Sequence, residues 1–240
     1  MTQVRLSYAY GTSSQPLLGM TIGEKFDQAC RQYAEQDAVV SVHQNVRLSY
    51  KQLQDQVNAF ACSLLQLGLE KGDRIAIWSP NCVEWTITQF AAFKAGMILV
   101  NLNPAYKSSE LEYVLNKVSC KALVIAPQFK SSNYQEILTK IAPEITQSTD
   151  KLLSSQRLPH LKHIIKIDHE QHTGIHRFAD LLPQPTAAQL DQLHAIAADL
   201  QFDETINIQF TSGTTGNPKG TMLTHNNILN NGYFVGEAIH

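Results

Sequence analysis

Residues Arg74-Ile75-Ala76-Ile77-Trp78-Ser79-Pro80-Asn81 give the clearest indication of the fold. The apolar run ends at a Ser-Pro-Asn breaker, as a buried strand does where it leaves a sheet. A helical pattern then continues to Ala95 and stops at Gly96, and Met97 to Leu102 is apolar again. A strand, a helix and a second strand in this order form a βαβ unit, whose strands pair in parallel.

The same alternation continues on both sides of this unit. Three capping boxes predict helix starts, and two further apolar runs predict strands. The capping boxes pair Thr21 with Glu24, Ser49 with Gln52, and Ser109 with Glu112; the runs are 122–126 and 164–167. Residues 38–42 and 46–49 are predicted to form a hairpin. The fold class is therefore α/β, built of βαβ units around a mostly parallel sheet.

The predicted domain organisation is simple. Residues 1–20 are interpreted as an N-terminal extension, and residues 21–240 as one partial domain. Within it, residues 143–187 are loop-rich and poorly patterned. A helical stripe of Leu190, Leu193, Ala197 and Leu200 precedes the predicted strand 206–210, and a further strand is predicted at 221–223.

Composition excludes several classes of function. The chain is 43% hydrophobic and 17% charged, which is typical of a globular protein with a substantial core. A net charge of −2 offers no basic footprint for nucleic acid or an anionic membrane. No apolar run is long enough for a transmembrane segment, and the N-terminus lacks a signal-peptide core.

The four cysteines indicate the compartment. Cys30, Cys62, Cys82 and Cys120 are spaced too widely for a metal knuckle or a redox motif. They fall within apolar or helical patterns and are expected to be buried, reduced thiols. We therefore expect a cytoplasmic protein, with a mitochondrial matrix or peroxisomal location left open.

Histidines cluster in one segment, at His160, His163, His169, His172 and His176. The i,i+4 spacing of the last two would suit zinc on a helix. Gly174 lies between them, however, and the segment has no apolar helical face. An exposed loop is the preferred interpretation.

The segment whose residue types indicate a binding function is 211–220, Thr-Ser-Gly-Thr-Thr-Gly-Asn-Pro-Lys-Gly. It follows the predicted strand 206–210. Glycines let backbone N–H groups approach an anion, hydroxyls add hydrogen-bond donors, and a lysine adds a positive charge. The segment is predicted to bind a polyphosphate. It differs from a Walker A loop, because Pro218 replaces the second glycine and Gly220 replaces the hydroxyl residue.

Residues Phe210 to Asn226 resemble the signature of AMP-forming adenylating enzymes. Residues 67–76, 81–85, 94–96 and 101–106 are similar to the N-terminal subdomain of that superfamily, and the last of these most resembles fatty acyl-CoA synthetases. The resemblance implies the N-terminal subdomain of their large domain. It also implies ATP-dependent fatty acid–CoA ligation through an acyl-adenylate, with ATP, Mg²⁺ and coenzyme A.

The resemblance assigns roles to individual residues. Lys219 would stabilise the departing pyrophosphate, Thr211 would also reach Mg²⁺, and His225 would lie near the substrate pocket. Physically, Thr224 is a suitable N-cap for a helix beginning there. The residues expected to contact the nucleotide are Thr211, Ser212, Gly213, Thr214, Thr215, Gly216, Pro218, Lys219 and Gly220.

The family's downstream motifs and small C-terminal domain are not found in these 240 residues. We therefore expect an N-terminal fragment that is inactive alone and needs a complementing C-terminal part, so enzyme status stays open. The expected substrate is a medium- or long-chain fatty acid. The alternatives are a non-catalytic nucleotide-binding or regulatory fragment and, less favoured, a P-loop NTPase.

Overall fold

The computed structural model describes residues 15–211 and 218–239. The helices there are α1 (Ile22–Gln32), α2 (Tyr50–Gln66), α3 (Val83–Lys94), α4 (Ser108–Lys117), α5 (Tyr134–Ile141), α6 (Ala187–Ala198) and α7 (His225–Ile239). The strands are β1 (Asp37–Ser41), β2 (Val46–Ser49), β3 (Arg74–Trp78), β4 (Ile98–Asn101), β5 (Ala122–Ile125), β6 (Gln128–Phe129), β7 (Ser132–Asn133), β8 (His163–Lys166), β9 (His176–Arg177), β10 (Thr205–Thr211) and β11 (Lys219–Thr224). Short 3₁₀ helices cover Pro143–Gln147 and Phe178–Leu181.

The central sheet has seven strands in the order β11-β10-β4-β3-β5-β8-β9. Every neighbouring pair is parallel except β10 and β11, which are antiparallel. The predicted α/β fold with a mostly parallel sheet is confirmed. The separate β1–β2 hairpin is antiparallel, also as predicted.

The sheet is wound in two directions from its centre. From β3 the chain passes through α3 to β4 on one side, whereas from β5 it passes through α5 to β8 on the other. Helix α3 packs with the core of one sheet face, which includes Ile75 and Ile77. Helices α4 and α5 pack with the core of the opposite face, which includes Ala76 and Trp78. The winding therefore reverses between the adjacent strands β3 and β5.

Two of the three predicted capping boxes are confirmed. The Thr21 hydroxyl accepts from Glu24 N–H at 3.1 Å while the Glu24 carboxylate accepts from Thr21 N–H at 2.7 Å, and Ser49 with Gln52 does the same. The prediction for Ser109 and Glu112 is wrong. The N-cap of α4 is Lys107, two residues earlier than predicted, and the carboxylate that caps the helix belongs to Glu110, which accepts from Lys107 N–H at 3.1 Å.

The carboxylate of Glu112 instead pairs with the guanidinium of Arg157. Helix α5 and strands β6, β7 and β9 were not predicted, because all four are short. Among residues 15–211 and 218–239, none of the helices has the length and apolar character required to cross a bilayer.

The cysteine prediction is confirmed in large part. The thiols of Cys30, Cys62 and Cys120 are free and buried, whereas that of Cys82 is free but only partly buried. Burial raises the pKa of Cys30 to about 11 and that of Cys120 to about 12. These thiols behave as core side chains that stay protonated.

Candidate functional site

The predicted polyphosphate segment joins β10 to β11, the antiparallel pair at one edge of the sheet. The predicted strand 206–210 is present and extends by one residue at each end. Strand β10 is anchored by Ile206 and Ile208, which are 2% and 8% exposed. Strand β11 is the edge strand, and Lys219 to Met222 are all exposed. The strand that leads to the segment therefore has a buried base.

The two ends of the segment lie opposite each other. Thr211 and Lys219 are directly paired in the register of the two strands, and Thr211 Oγ1 donates to the Lys219 carbonyl oxygen at 3.4 Å. Both residues are exposed. A hydroxyl and an ammonium group thus stand at the mouth of the hairpin, accessible from solvent.

The middle of the segment, residues 212–217, lies outside the described residues. The roles assigned to Ser212, Gly213, Thr214, Thr215 and Gly216 therefore stay predictions. Pro218 is half-buried directly before Lys219. Because its ring fixes φ, Pro218 restricts the backbone by which the segment enters β11.

Gly220 has a close neighbour that sequence reasoning missed. It pairs with Phe210 in the strand register. A Cβ at Gly220 would lie 3.1 Å from Ile208 Cγ2 and 3.6 Å from two ring carbons of Phe210. The Phe210 ring thus occupies the space beside Gly220 and supports the register that sets Thr211 opposite Lys219. An aromatic residue directly across a two-strand hairpin from a glycine is the signal that could have identified it.

His225 begins α7 immediately after its N-cap. Thr224 Oγ1 accepts from Asn227 N–H at 3.1 Å, which satisfies the helix start as predicted. The imidazole of His225 is fully buried, and its Nδ1 accepts from Ile22 N–H at 3.1 Å. Burial lowers the pKa of His225 to about 4, so its ring is neutral at physiological pH.

The Nδ1 bond fixes the tautomer of His225. Since Nδ1 accepts a hydrogen bond, the proton of the neutral ring is on Nε2. Nε2 is buried and has no hydrogen-bond partner among the described residues. The structure places the ring between α1 and Phe93, with ring centroids 6.3 Å apart.

The hydroxyl of Thr211 provides one oxygen of the kind that Mg²⁺ accepts. Across residues 15–211 and 218–239, no group of three His, Cys, Asp or Glu side chains is arranged to hold a metal ion.

The histidine-rich segment differs from the expected exposed loop. His163 is buried on β8, and its Nδ1 lies 3.3 Å from Nε2 of His176 on β9. His172 Nε2 lies 2.8 Å from both Asp168 Oδ2 and Lys166 Nζ. The exposed-loop interpretation is therefore wrong for His163 and His176, which lie on strands, whereas His172 lies in the loop between them and is partly buried. The reason is tertiary: the two-residue strand β9 adds to the edge of the sheet and covers β8.

The fold and the hairpin together define the class of protein. A mostly parallel α/β sheet leads through β10 to a Thr/Ser/Gly-rich segment that is bounded by the paired residues Thr211 and Lys219. The sequence pattern of the AMP-binding enzymes matches residues 26–239. The chain belongs to this family.

The chain is also similar to individual relatives. It is 44% identical over 234 residues to the mitochondrial medium-chain acyl-CoA ligase ACSF2 of Macaca fascicularis, a match covering 98% of this chain and 38% of the relative. The crystal structure of the anthranilate CoA ligase AuaEII in complex with anthranoyl-AMP is 25% identical, with a TM-score of 0.69 over 88% of this chain and 36% of that one.

An inhibitor-bound N-terminal domain of FACL13 from Mycobacterium tuberculosis has the same fold, with a TM-score of 0.65 and 24% identity over 86% of this chain and 44% of that one. The chain spans 38% of the length of the curated relative from Macaca fascicularis.

Proposed function

We propose that this chain supplies the triphosphate-binding hairpin and the N-terminal part of the adenylation domain of an ATP-dependent medium-chain fatty acid–CoA ligase. The observation that carries the proposal is the pairing of Thr211 with Lys219 at the solvent-exposed mouth of the β10–β11 hairpin. A hydroxyl donor and a fixed cation flanking a glycine-rich segment suit a polyphosphate.

The proposed reaction has two halves. A carboxylate oxygen of the acid attacks the α-phosphorus of ATP, and the bond from that phosphorus to the bridging oxygen breaks, releasing pyrophosphate. The thiolate of coenzyme A then attacks the carbonyl carbon, and AMP leaves with the electrons of the C–O bond. Both halves depend on positioning and on stabilising charge, more than on covalent participation of the protein.

The hairpin's own residues act in the first half. The Lys219 ammonium interacts with the β- and γ-phosphates, so the charge on the departing pyrophosphate is stabilised as it grows. Thr211 and the hydroxyls proposed for Ser212, Thr214 and Thr215 donate to phosphate oxygens. Magnesium, when bound to the phosphates, neutralises further charge, and Thr211 is the residue proposed to reach it.

The choice of acid and the position of His225 are further parts of the proposal. A relative at 44% identity is named a medium-chain ligase, which supports medium-chain acids over longer ones. The structure bound to anthranoyl-AMP supports acyl-adenylate binding by this fold. His225 is proposed to act beside the substrate pocket by holding α7 against α1.

The organisation and location of the protein complete the proposal. Residues 21–240 form part of one adenylation domain, and residues 1–20 precede it. Since relatives are more than twice as long, the 240 residues need the remaining length to complete adenylation. The reduced buried thiols support a cytoplasmic location, which fluorescence microscopy of the tagged chain in its own cells would test.

A chimera tests the activity directly. Residues 1–240 are joined to the segment that follows the matched region in the Macaca fascicularis ligase. We expect decanoate-dependent pyrophosphate release with ATP from the chimera and none from residues 1–240 alone. Lys219→Ala in the chimera should lower turnover by about 10²-fold or more. Nucleotide hydrolysis without any acid, by either polypeptide, would instead support an NTPase.

A further inference from the structure

A cavity of about 590 Å³ lies at the carboxyl edge of the central sheet, away from the β10–β11 hairpin. It is lined by the loop after β3 (Ser79 to Val83), the loop after β5 (Ala126 to Gln128) and the residues after β8 (Ile167 to His169). These loops leave β3 and β5 toward opposite faces of the sheet, because the winding reverses between the two strands. In open α/β sheets, small molecules bind in the crevice formed at such a reversal.

The cavity has a rigid polar wall. Gln44, from the β1–β2 hairpin, accepts from Val83 N–H at 2.8 Å and from the Ser41 hydroxyl at 2.8 Å. Its amide nitrogen donates to Glu84 Oε2 at 2.9 Å. Three hydrogen bonds therefore fix Gln44 and hold Glu84 at the start of α3.

The carboxylates around the cavity disfavour anions. Glu84 and Asp168 line it together with the imidazoles of His43 and His169, whereas no lysine or arginine is found among the described residues of its lining. Asp168 is already paired with Lys166 at 2.7 Å. The Glu84 carboxylate accepts from the neutral Gln44 amide, so its charge remains available to a cation.

More of the cavity surface is apolar than polar, although Gln56, Asn81 and Gln128 also line it. Ile87 and Phe178 are buried beneath it, and Val46 and Leu182 form its sides. Its volume lies within the range of pockets that bind drug-sized ligands, about 300–1,000 Å³. A largely apolar chamber with one carboxylate that is bonded to a neutral amide suits a mainly apolar molecule that carries a single amine.

We propose that this crevice, which we call the β3–β5 crevice, is a second ligand site that binds a small apolar amine through Glu84. ATP, coenzyme A and carboxylic acids are all anions, so the crevice rejects them by charge. It is thus not a second copy of the nucleotide site, and its occupant is chemically unlike the three proposed substrates.

Three naphthalene ligands of similar shape but different charge test whether the crevice prefers a cation. 1-Naphthylmethylamine, 1-naphthalenemethanol and 1-naphthoate are titrated against residues 1–240 by ligand-observed NMR. The amine should bind about tenfold more tightly than the alcohol, which corresponds to roughly 1.4 kcal/mol, and the naphthoate more weakly still. Naphthoate binding as tight as amine binding would overturn the proposal.

Two variants locate the probe. Glu84→Gln, which keeps an acceptor for Gln44, should make amine and alcohol bind equally. Ala179→Trp places an indole at the mouth of the crevice from an exposed position and should weaken both at least tenfold. Ala195→Trp, at an exposed site on α6, is the matched control and should leave binding unchanged. Unchanged amine binding in both Glu84→Gln and Ala179→Trp would place the probe elsewhere and refute the site.

The outcome is separable from the proposed ligase activity. Lys219→Ala, which removes the cation of the hairpin, should leave amine binding unchanged. A change of amine binding in that variant, in either direction, would show that the probe lies beside the hairpin, and the crevice proposal would fail while the hairpin proposal stood.

Discussion

The backbone N–H of Ile22 donates to Nδ1 of His225 at 3.1 Å, joining residues 203 positions apart in the sequence. Ile22 is the first residue of α1, where backbone N–H groups lack a partner within the helix. A side chain from the first turn of α7 therefore caps α1. The same two regions are joined again where Leu18 N–H donates to Asn230 Oδ1 at 2.7 Å.

This contact predicts that His225→Leu lowers the stability of the fold. Leucine fills similar space but leaves the buried Ile22 N–H unpaired, so we expect about 1–3 kcal/mol of lost stability. Urea unfolding followed by circular dichroism measures it. His194→Leu, at an exposed position on α6, is the control and should change stability by no more than about 0.5 kcal/mol. Equal effects of the two substitutions would contradict a capping role.

The same histidine predicts an acid-sensitive stability. Burial lowers the pKa of His225 from 6.5 to about 4 in the folded protein. The unfolded chain therefore binds the proton first as pH falls. The contribution of the neutral His225 ring to the free energy of unfolding is therefore complete above about pH 6.5. It is lost as the pH falls from about 6.5 to about 4.

Urea midpoints between pH 7.5 and 4 test this dependence. In His225→Asn the loss of stability on acidification should be smaller than in the parent chain. It should not disappear, because burial also lowers the pKa of His176 to about 4. An unchanged slope in His225→Asn would show that another group is responsible.

The exposed positive charge of Lys219 predicts that the chain binds inorganic tripolyphosphate. Replacing Lys219 with alanine removes an exposed positive charge at the hairpin mouth, and we expect at least tenfold weaker binding by calorimetry. The affinity of the parent chain should also fall as salt is raised, since exposed charges are screened. Lys117→Ala, which removes an exposed lysine on α4, should bind normally. Equal losses in both variants would reveal a non-specific charge effect.

The close neighbours of Gly220 predict that a side chain at this position destabilises the hairpin. Valine there would press against Ile208 and the Phe210 ring, since even its Cβ would lie 3.1 Å from Ile208 Cγ2. We expect Gly220→Val to lower stability by about 1–3 kcal/mol and to weaken tripolyphosphate binding. Gly232 on α7 has open space around it, so Gly232→Ala should instead raise stability by up to about 1 kcal/mol. Thermal unfolding of both variants distinguishes local crowding from a general intolerance of side chains.

Hydrogen exchange should show uneven protection across the sheet. Strands β3 and β5 pair on both sides and are almost wholly buried, whereas β11 pairs only with β10 and exposes its first four residues. Amides of β11 should exchange faster than those of β3 by several orders of magnitude. Equal protection of the two strands would contradict weaker packing of the edge strand β11.

The elements with strong local signals were predictable. The apolar run 74–78 became β3 with the same limits, and Thr21 and Ser49 cap the helices that their sequence pattern predicts. The prediction for Ser109 was wrong because Glu110, two residues before Glu112, accepts from Lys107 N–H and makes Lys107 the N-cap of α4. Local pattern determines that a helix forms there, but competing carboxylates determine where it starts.

The sequence by itself determined the α/β class, the hairpin strands and the residues that flank its polar segment, because these follow from local periodicity, turn residues and spacing. Only the tertiary structure decided that His225 caps α1, that Phe210 lies beside Gly220, and that His163 and His176 meet on neighbouring strands. It also decided that the loops after β3 and β5 enclose a crevice. Each of these relationships depends on which strands become neighbours, and that choice is made by burial of the whole core.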